Sequence, residues 1–174
     1  MSKAAACAFP SSSTLPVHLE RVDYSDSFAV DLTQTGLKIQ DVHLNILGYL
    51  PGWFKVLLYV RTRLVAPFGI GGPATRELMA KTRMRDSYAV GDKIGRWKIY
   101  ALDDDEIITG ADDRHLNFRV SVLRDGGQEP RKIVMSTAVM LHNAFGRVYL
   151  AAIMPFHRFG VARLMTNAAR SGRL

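Results

Sequence analysis

Cysteine is nearly missing from this chain: the single residue, Cys7, stands in a tail of small side chains. That excludes an intramolecular disulfide and a multi-cysteine zinc site, and it fits a reducing cytoplasm, where we expect the protein to reside. Long apolar runs are missing too. The richest stretch, Val56 to Val60, is followed at once by Arg61 and Arg63, so no segment approaches the roughly 18 residues of a membrane span. The apolar start Ala4 to Phe9 is cut short by Pro10 and Ser11 to Ser13, too early for a secretion signal. Acidic residues are absent from Asn143 onward, where Arg147, Arg158, Arg163, Arg170 and Arg173 stand alone. Between Lys55 and Arg85 only Glu77 opposes Lys55, Arg61, Arg63, Arg76, Lys81, Arg83 and Arg85.

What is present suits one globular domain. The chain has 174 residues, 48% hydrophobic and 22% charged, with a net charge of +7. Such a chain buries roughly 70% of its unfolded surface and carries a real core. The basic balance permits an anionic membrane surface or an acidic protein as partner. Nucleic acid is not expected, because neither zinc-finger spacing nor an aromatic-basic RNA motif accompanies the charge.

Periodicity sets the expected element order. Residues 1–16, with Ser11 to Thr14 and two prolines, read as a flexible leader, and 17–171 as the domain. A partly alternating stretch from His18 to Leu32 predicts a strand, and Leu37 to Leu47 a helix ending at Gly48. A second helix starts at Pro51 and closes before Pro67, with Trp53, Leu57, Val60 and Leu64 on one stripe. Phe68 to Asp92 reads as a long connection, a potential lid, with a helical turn around Thr75 to Thr82. Four strands follow, over residues 96–102, 106–110, 115–123 and 132–142. In the third, Leu116, Phe118, Val120 and Val122 share one face, which together with Trp53 is expected to be buried against the terminal segment. That segment, Gly146 to Arg170, predicts a helix kinked at Pro155, with a strand over 147–153 as the alternative. The fold class is therefore α+β, an antiparallel sheet with a long C-terminal helix and two short helices after the first strand.

Motifs for cofactors fail on context. Gly69 to Gly72 follows a helix where a dinucleotide loop follows a strand. Asp103 to Glu106 lacks the glycine an EF-hand needs, since Ile108 occupies that place, and reads as a solvated hairpin turn. Asp112 and Asp113 point to opposite faces of a strand, which suits ion pairs with Arg114 or Arg119 better than a shared proton. His115, His142 and His157 lack metalloprotease spacing, and no nucleophile motif accompanies them. We thus expect no metal, no cofactor and no assigned catalytic residue. In a helix His157 shares an apolar stripe with Val161, Leu164 and Ala168, while Phe156, Phe159, Arg163 and Arg170 fall on another face. The plainer reading puts both phenylalanines under neighbouring loops; the functional one makes that face a docking patch.

Taken in order, Asp23 to Phe28, Pro51-Gly52-Trp53, Arg61, Phe68-Gly69, Gly91-Asp92, Asp112 to Val120, His142-Asn143, Gly146 to Tyr149 and Pro155 to Arg158 resemble the bacterial domain-of-unknown-function family 2867. The family has no assigned activity. Phe145 to Ala168 also resembles the closing helix of START-like or Bet v 1-like helix-grip domains, which wrap a sheet around that helix and enclose an apolar cavity. Such folds have more strands than the five or six read here, so the others would lie within 69–95 or 147–153. The resemblance implies binding of a small apolar ligand between sheet and terminal helix, with Trp53, Phe118, Arg119, His142, Tyr149 and His157 as contacts. Alternatives are an enzyme of this shape using His142, His157, Tyr149 or Arg119, and a peripheral membrane or protein-binding module using the basic aromatic helix face.

Overall fold

A computed structural model describes residues 3–65, 87–126 and 131–174. The glycine loop and the connection expected as a lid lie mostly outside the described residues. Seven strands form one sheet in the order β1-β2-β7-β6-β5-β4-β3, every neighbouring pair antiparallel. They are β1 (Ala5–Ala6), β2 (Tyr24–Asp31), β3 (Lys93–Ile94), β4 (Trp97–Leu102), β5 (Glu106–Asp112), β6 (Leu116–Asp125) and β7 (Lys132–Leu141). Among the described residues three helices accompany them: α1 (Ile39–Leu47), α2 (Gly52–Val65) and α3 (Ala144–Arg170). The α+β expectation thus holds. The two strands beyond the expected five are short, and only β3 falls where an extra strand was sought.

Residues 147–153 are helical, and α3 runs unbroken through Pro155. Proline removes the bond to the carbonyl four residues earlier, here Ala151. Ala151 is exposed, which leaves that oxygen open to solvent where the helix continues. Asn143 starts α3 by accepting the Gly146 amide on its side chain at 2.9 Å. Gly146 is required there, because a Cβ would lie 2.3 Å from the His115 carbonyl oxygen.

The inner sheet face carries Phe28, Val30, Ile99, Ile107, Val120, Val122, Ile133 and Met135, which join Val42 and Ile46 of α1 and Val161, Leu164, Met165 and Ala168 of α3 in the main core. Phe118 is half-buried against this core, edge-on to Trp97 at 5.8 Å. The outer face is closed by the N-terminal segment. Leu15, wholly buried in a 3-10 turn (Leu15–His18), and Leu19 pack on Ile108, Ala138 and Met140. The expected leader is therefore anchored: Ala5–Ala6 pairs with β2, and Thr14 donates its amide (2.9 Å) and hydroxyl (2.7 Å) to Glu106. Glu106 is buried, not the solvated turn residue the sequence suggests.

Candidate functional site

Two places on the helical side of the sheet bring chemistry-bearing residues together. The first is a polar centre under α3. Asp26 shares the inward face of β2 with Phe28 and Val30 and pairs across the ladder with Thr137. His157, on the inward stripe of α3, sets its Nε2 3.3 Å from Thr137 Oγ1 and 3.5 Å from Asp26 Oδ1. The Tyr24 hydroxyl donates to Asp26 Oδ2 at 2.8 Å. Burial pushes the Asp26 carboxyl up, but its interactions with His157, Tyr24 and Thr137 outweigh this and hold it below the usual range. Burial and the neighbouring carboxylate raise the Tyr24 phenol. Asp26 Oδ1 accepts no hydrogen bond although it is buried, and His157 Nε2 stands 3.5 Å from it. The arrangement can hold a proton between histidine and carboxylate.

The second is a groove between α2 and α3. The Pro51 carbonyl accepts the amides of Phe54 and Lys55, starting α2 where the sequence predicts. The two helices run antiparallel, with Trp53 5.8 Å from Phe159 and Arg61 bonded to Tyr149. Their close approach depends on Gly160, whose absent side chain leaves room for the Phe54 ring; a Cβ would lie 2.5 Å from its Cε2. Beside this contact opens a groove of about 580 Å³, lined by Trp53, Val56, Leu57, Val60, Pro155, Phe156 and Phe159. The lining is apolar and much of it faces water: Phe156 is 57% exposed, Phe159 62% and Val56 62%. Single exposed apolar residues need no explanation, whereas a contiguous apolar patch is a candidate for binding.

At the end of the groove away from Trp53, the Arg61 Nε donates to the Tyr149 hydroxyl at 2.6 Å, and the guanidinium carbon lies 5.3 Å from that ring's centroid. Burial raises the Tyr149 phenol, and Arg61 works against the rise. Tyr149 also packs with Leu116, Phe145 and Ile153, which fixes the donor's partner in place.

The six expected contacts do not converge on one cavity. Trp53 lines the groove, Tyr149 stands at its end, His157 sits in the polar centre, and Phe118 lies on the inner face. Trp53, expected to be buried, is 43% exposed, although its ring lies against Phe54 and Phe159. Arg119 is on the wrong side. Neighbouring strand positions alternate, so with Val120 inward Arg119 points outward, where it pairs with Asp112 at 2.7 Å and lies 3.5 Å above the Tyr100 ring. His142 is exposed at the sheet's end, bonded to Asn117 at 3.0 Å. Phe156 and Phe159 do not follow the plainer reading, since both are exposed.

Sequence reasoning missed Asp26 and Thr137 as partners of His157, and Tyr24 as the donor to Asp26, though Asp26 shares the parity of Phe28 and Val30. It also left Arg61 unassigned, although Trp53, Leu57 and Arg61 follow one another at four-residue steps on one helical stripe. Among the described residues no three metal-ligating side chains cluster and no helix is long and apolar enough to cross a membrane.

Fold and site together define an α+β protein whose sheet is packed by a long C-terminal helix, with an apolar groove formed by that helix and a second one. The chain belongs to the DUF2867 family of proteins of unknown function, whose model matches residues 18–164. No curated protein and no solved structure matches it.

Proposed function

We propose that the protein binds a small, largely apolar molecule, and that the site is the groove between α2 and α3, not the interface between sheet and terminal helix. The groove's volume and apolar lining carry this reading: about 580 Å³ lies within the roughly 300–1,000 Å³ typical of small-molecule sites. The interface first considered is, by contrast, occupied where it is described by Val120, Val122 and Met135 packing with Val161, Leu164 and Met165. In a Trp97→Phe background Trp53 is the sole tryptophan and reports directly on the groove. Titration with n-decanol should change its emission saturably, and Val60→Arg should abolish the response while the protein stays folded. A linear response, or one indifferent to Val60→Arg, sinks the proposal.

A second reading draws on the same exposure. Phe156 and Phe159, with Arg163 one turn on, form a basic aromatic face suited to an anionic membrane surface or an acidic protein. Low-salt cosedimentation with anionic but not neutral vesicles, lost in Arg163→Glu, Arg170→Glu, would favour that use of the face. The enzyme alternative has its best support in the pairing of Asp26 with His157.

A further inference from the structure

The groove is not uniform along its length. Trp53, Leu57 and Arg61 lie at four-residue steps on α2, and Phe156 and Tyr149 lie seven residues apart on α3, so the apolar walls and the pairing of Arg61 with Tyr149 continue the same two helix faces. From Trp53 to Arg61 the wall is about 12 Å long at the α-helical rise. Its lining is apolar for two turns, and Arg61 follows directly on Val60, the last lining residue of α2. The helices themselves carry charge of one sign, Lys55, Arg61, Arg63, Arg147, Arg158, Arg163 and Arg170 with no acidic residue, and the carboxylate that acts on Tyr149 from outside them is Asp113. A neutral guest would leave this field unused, and a cationic one would be repelled.

We infer that the occupant of the groove is a single-chain amphiphile with an anionic head group, its chain lying between Trp53 and Phe156 and its carboxylate or similar head meeting Arg61 at the Tyr149 end. The inference rests on the reading of the groove given above and adds the chemical class of the ligand. Arg61 is suited to the role because Tyr149 engages its Nε, which fixes the plane of the guanidinium while its two Nη groups bond no other described residue. A planar fork held in this way matches a carboxylate in two-point geometry, which a lysine does not. Tyr149 therefore acts as a positioning residue and not as a contact for the chain.

The test compares two probes of equal chain length, sodium decanoate and n-decanol, by Trp53 emission in the Trp97→Phe protein. Decanoate should bind about tenfold more tightly than decanol, the factor expected of one charge-assisted hydrogen bond. Added salt should weaken decanoate alone. Arg61→Gln should erase the preference by weakening decanoate, and Arg61→Lys should restore only part of it. Equal affinities for the two probes in the wild-type protein would overturn the head-group assignment and leave the apolar groove standing. If Arg61→Gln weakens both probes alike, Arg61 is merely structural and the assignment also falls. Binding of neither probe removes the groove reading itself. A response to anionic vesicles but not to monomeric decanoate overturns the inference in favour of a membrane surface.

Discussion

The two faces of the sheet are closed by opposite means. On β6, Phe118, Val120 and Val122 point in and Arg119, Ser121 and Leu123 point out, so one strand serves both. The inner face meets helices whose backbone groups are satisfied within themselves, so apart from the cluster of Tyr24, Asp26, Thr137 and His157 and the pair of His43 with Thr109 its contacts are apolar. The outer face meets a segment that is mostly neither helix nor ladder. Its amides and hydroxyls need partners, and the sheet supplies them: buried Glu106 accepts from Ser13, Thr14 and Ser121, and Ser27 meets Ser136 at 2.8 Å. A buried carboxylate on this face is thus the condition for using irregular chain as a cover.

The largest expected effect lies on the inner face. Met165 is fully buried in the main core, and Met165→Ala should lower stability by about 2–5 kcal/mol in urea unfolding. Met140, buried on the outer face, allows the matching truncation. A loss for Met140→Ala equal to that for Met165→Ala would erase the contrast, since it would mean that the N-terminal cover is packed as unyieldingly as the helices.

Polar removal sharpens the outer half. Glu106→Leu strips the acceptor from Ser13, Thr14 and Ser121, and should cost about 2–3 kcal/mol through unpaired buried donors. The same change should expose the chain before Leu15 to limited proteolysis, with the remaining domain surviving. If residues 3–14 stay protected in Glu106→Leu, apolar contact alone holds that segment and the argument from its hydrogen bonds is wrong.

How much of this was readable in advance follows the same division. Helix periods and strand alternation were local, so α1, α2, β4 to β7 and the inward stripe Val161, Leu164 and Ala168 follow from the sequence. The fate of residues 3–19 was not local: hydroxyl residues and prolines look like leader until Glu106, some ninety positions away, is known to face them. Trp53 and Phe118 were placed on the right faces, but the depth of burial depends on how far α2 leans from α3, which no single helix encodes. Arg119 was named as a contact for its chemistry, although strand alternation already sets it on the face opposite Val120.

A third test uses pH. His43 on α1 is buried against Thr109, its Nε2 3.2 Å from the hydroxyl, and its Nδ1 has no partner. Burial lowers its pKa to about 3. Between that value and the ordinary one near 6.5, the unfolded chain takes up a proton that the folded one refuses, so stability falls as pH drops through this window. From pH 7 to pH 5 the loss from this group should be about 2 kcal/mol. Urea midpoints at the two values, compared between wild type and His43→Phe, isolate it from the carboxylates. Equal slopes would show that the inner face tolerates a charged histidine, contrary to its apolar character.

The smallest expected effect concerns the side of the helix layer that nothing described covers. Phe156 and Phe159 are more than half exposed, so Phe156→Ser and Phe159→Ser remove little buried area and should change stability by no more than about 0.5 kcal/mol each. A large loss of stability would mean that these rings complete a core, which would remove the groove as a free surface. Near-neutral stability with loss of the Trp53 response to decanol is the opposite result, and it separates this face from both faces of the sheet. There truncation should reduce folding and binding together, because the groove cannot outlast the packing that sets α3; here it should reduce binding alone. Thermal melting and probe titration on the same samples decide the matter, since a residue that lowers affinity without lowering the melting temperature serves the ligand and not the fold.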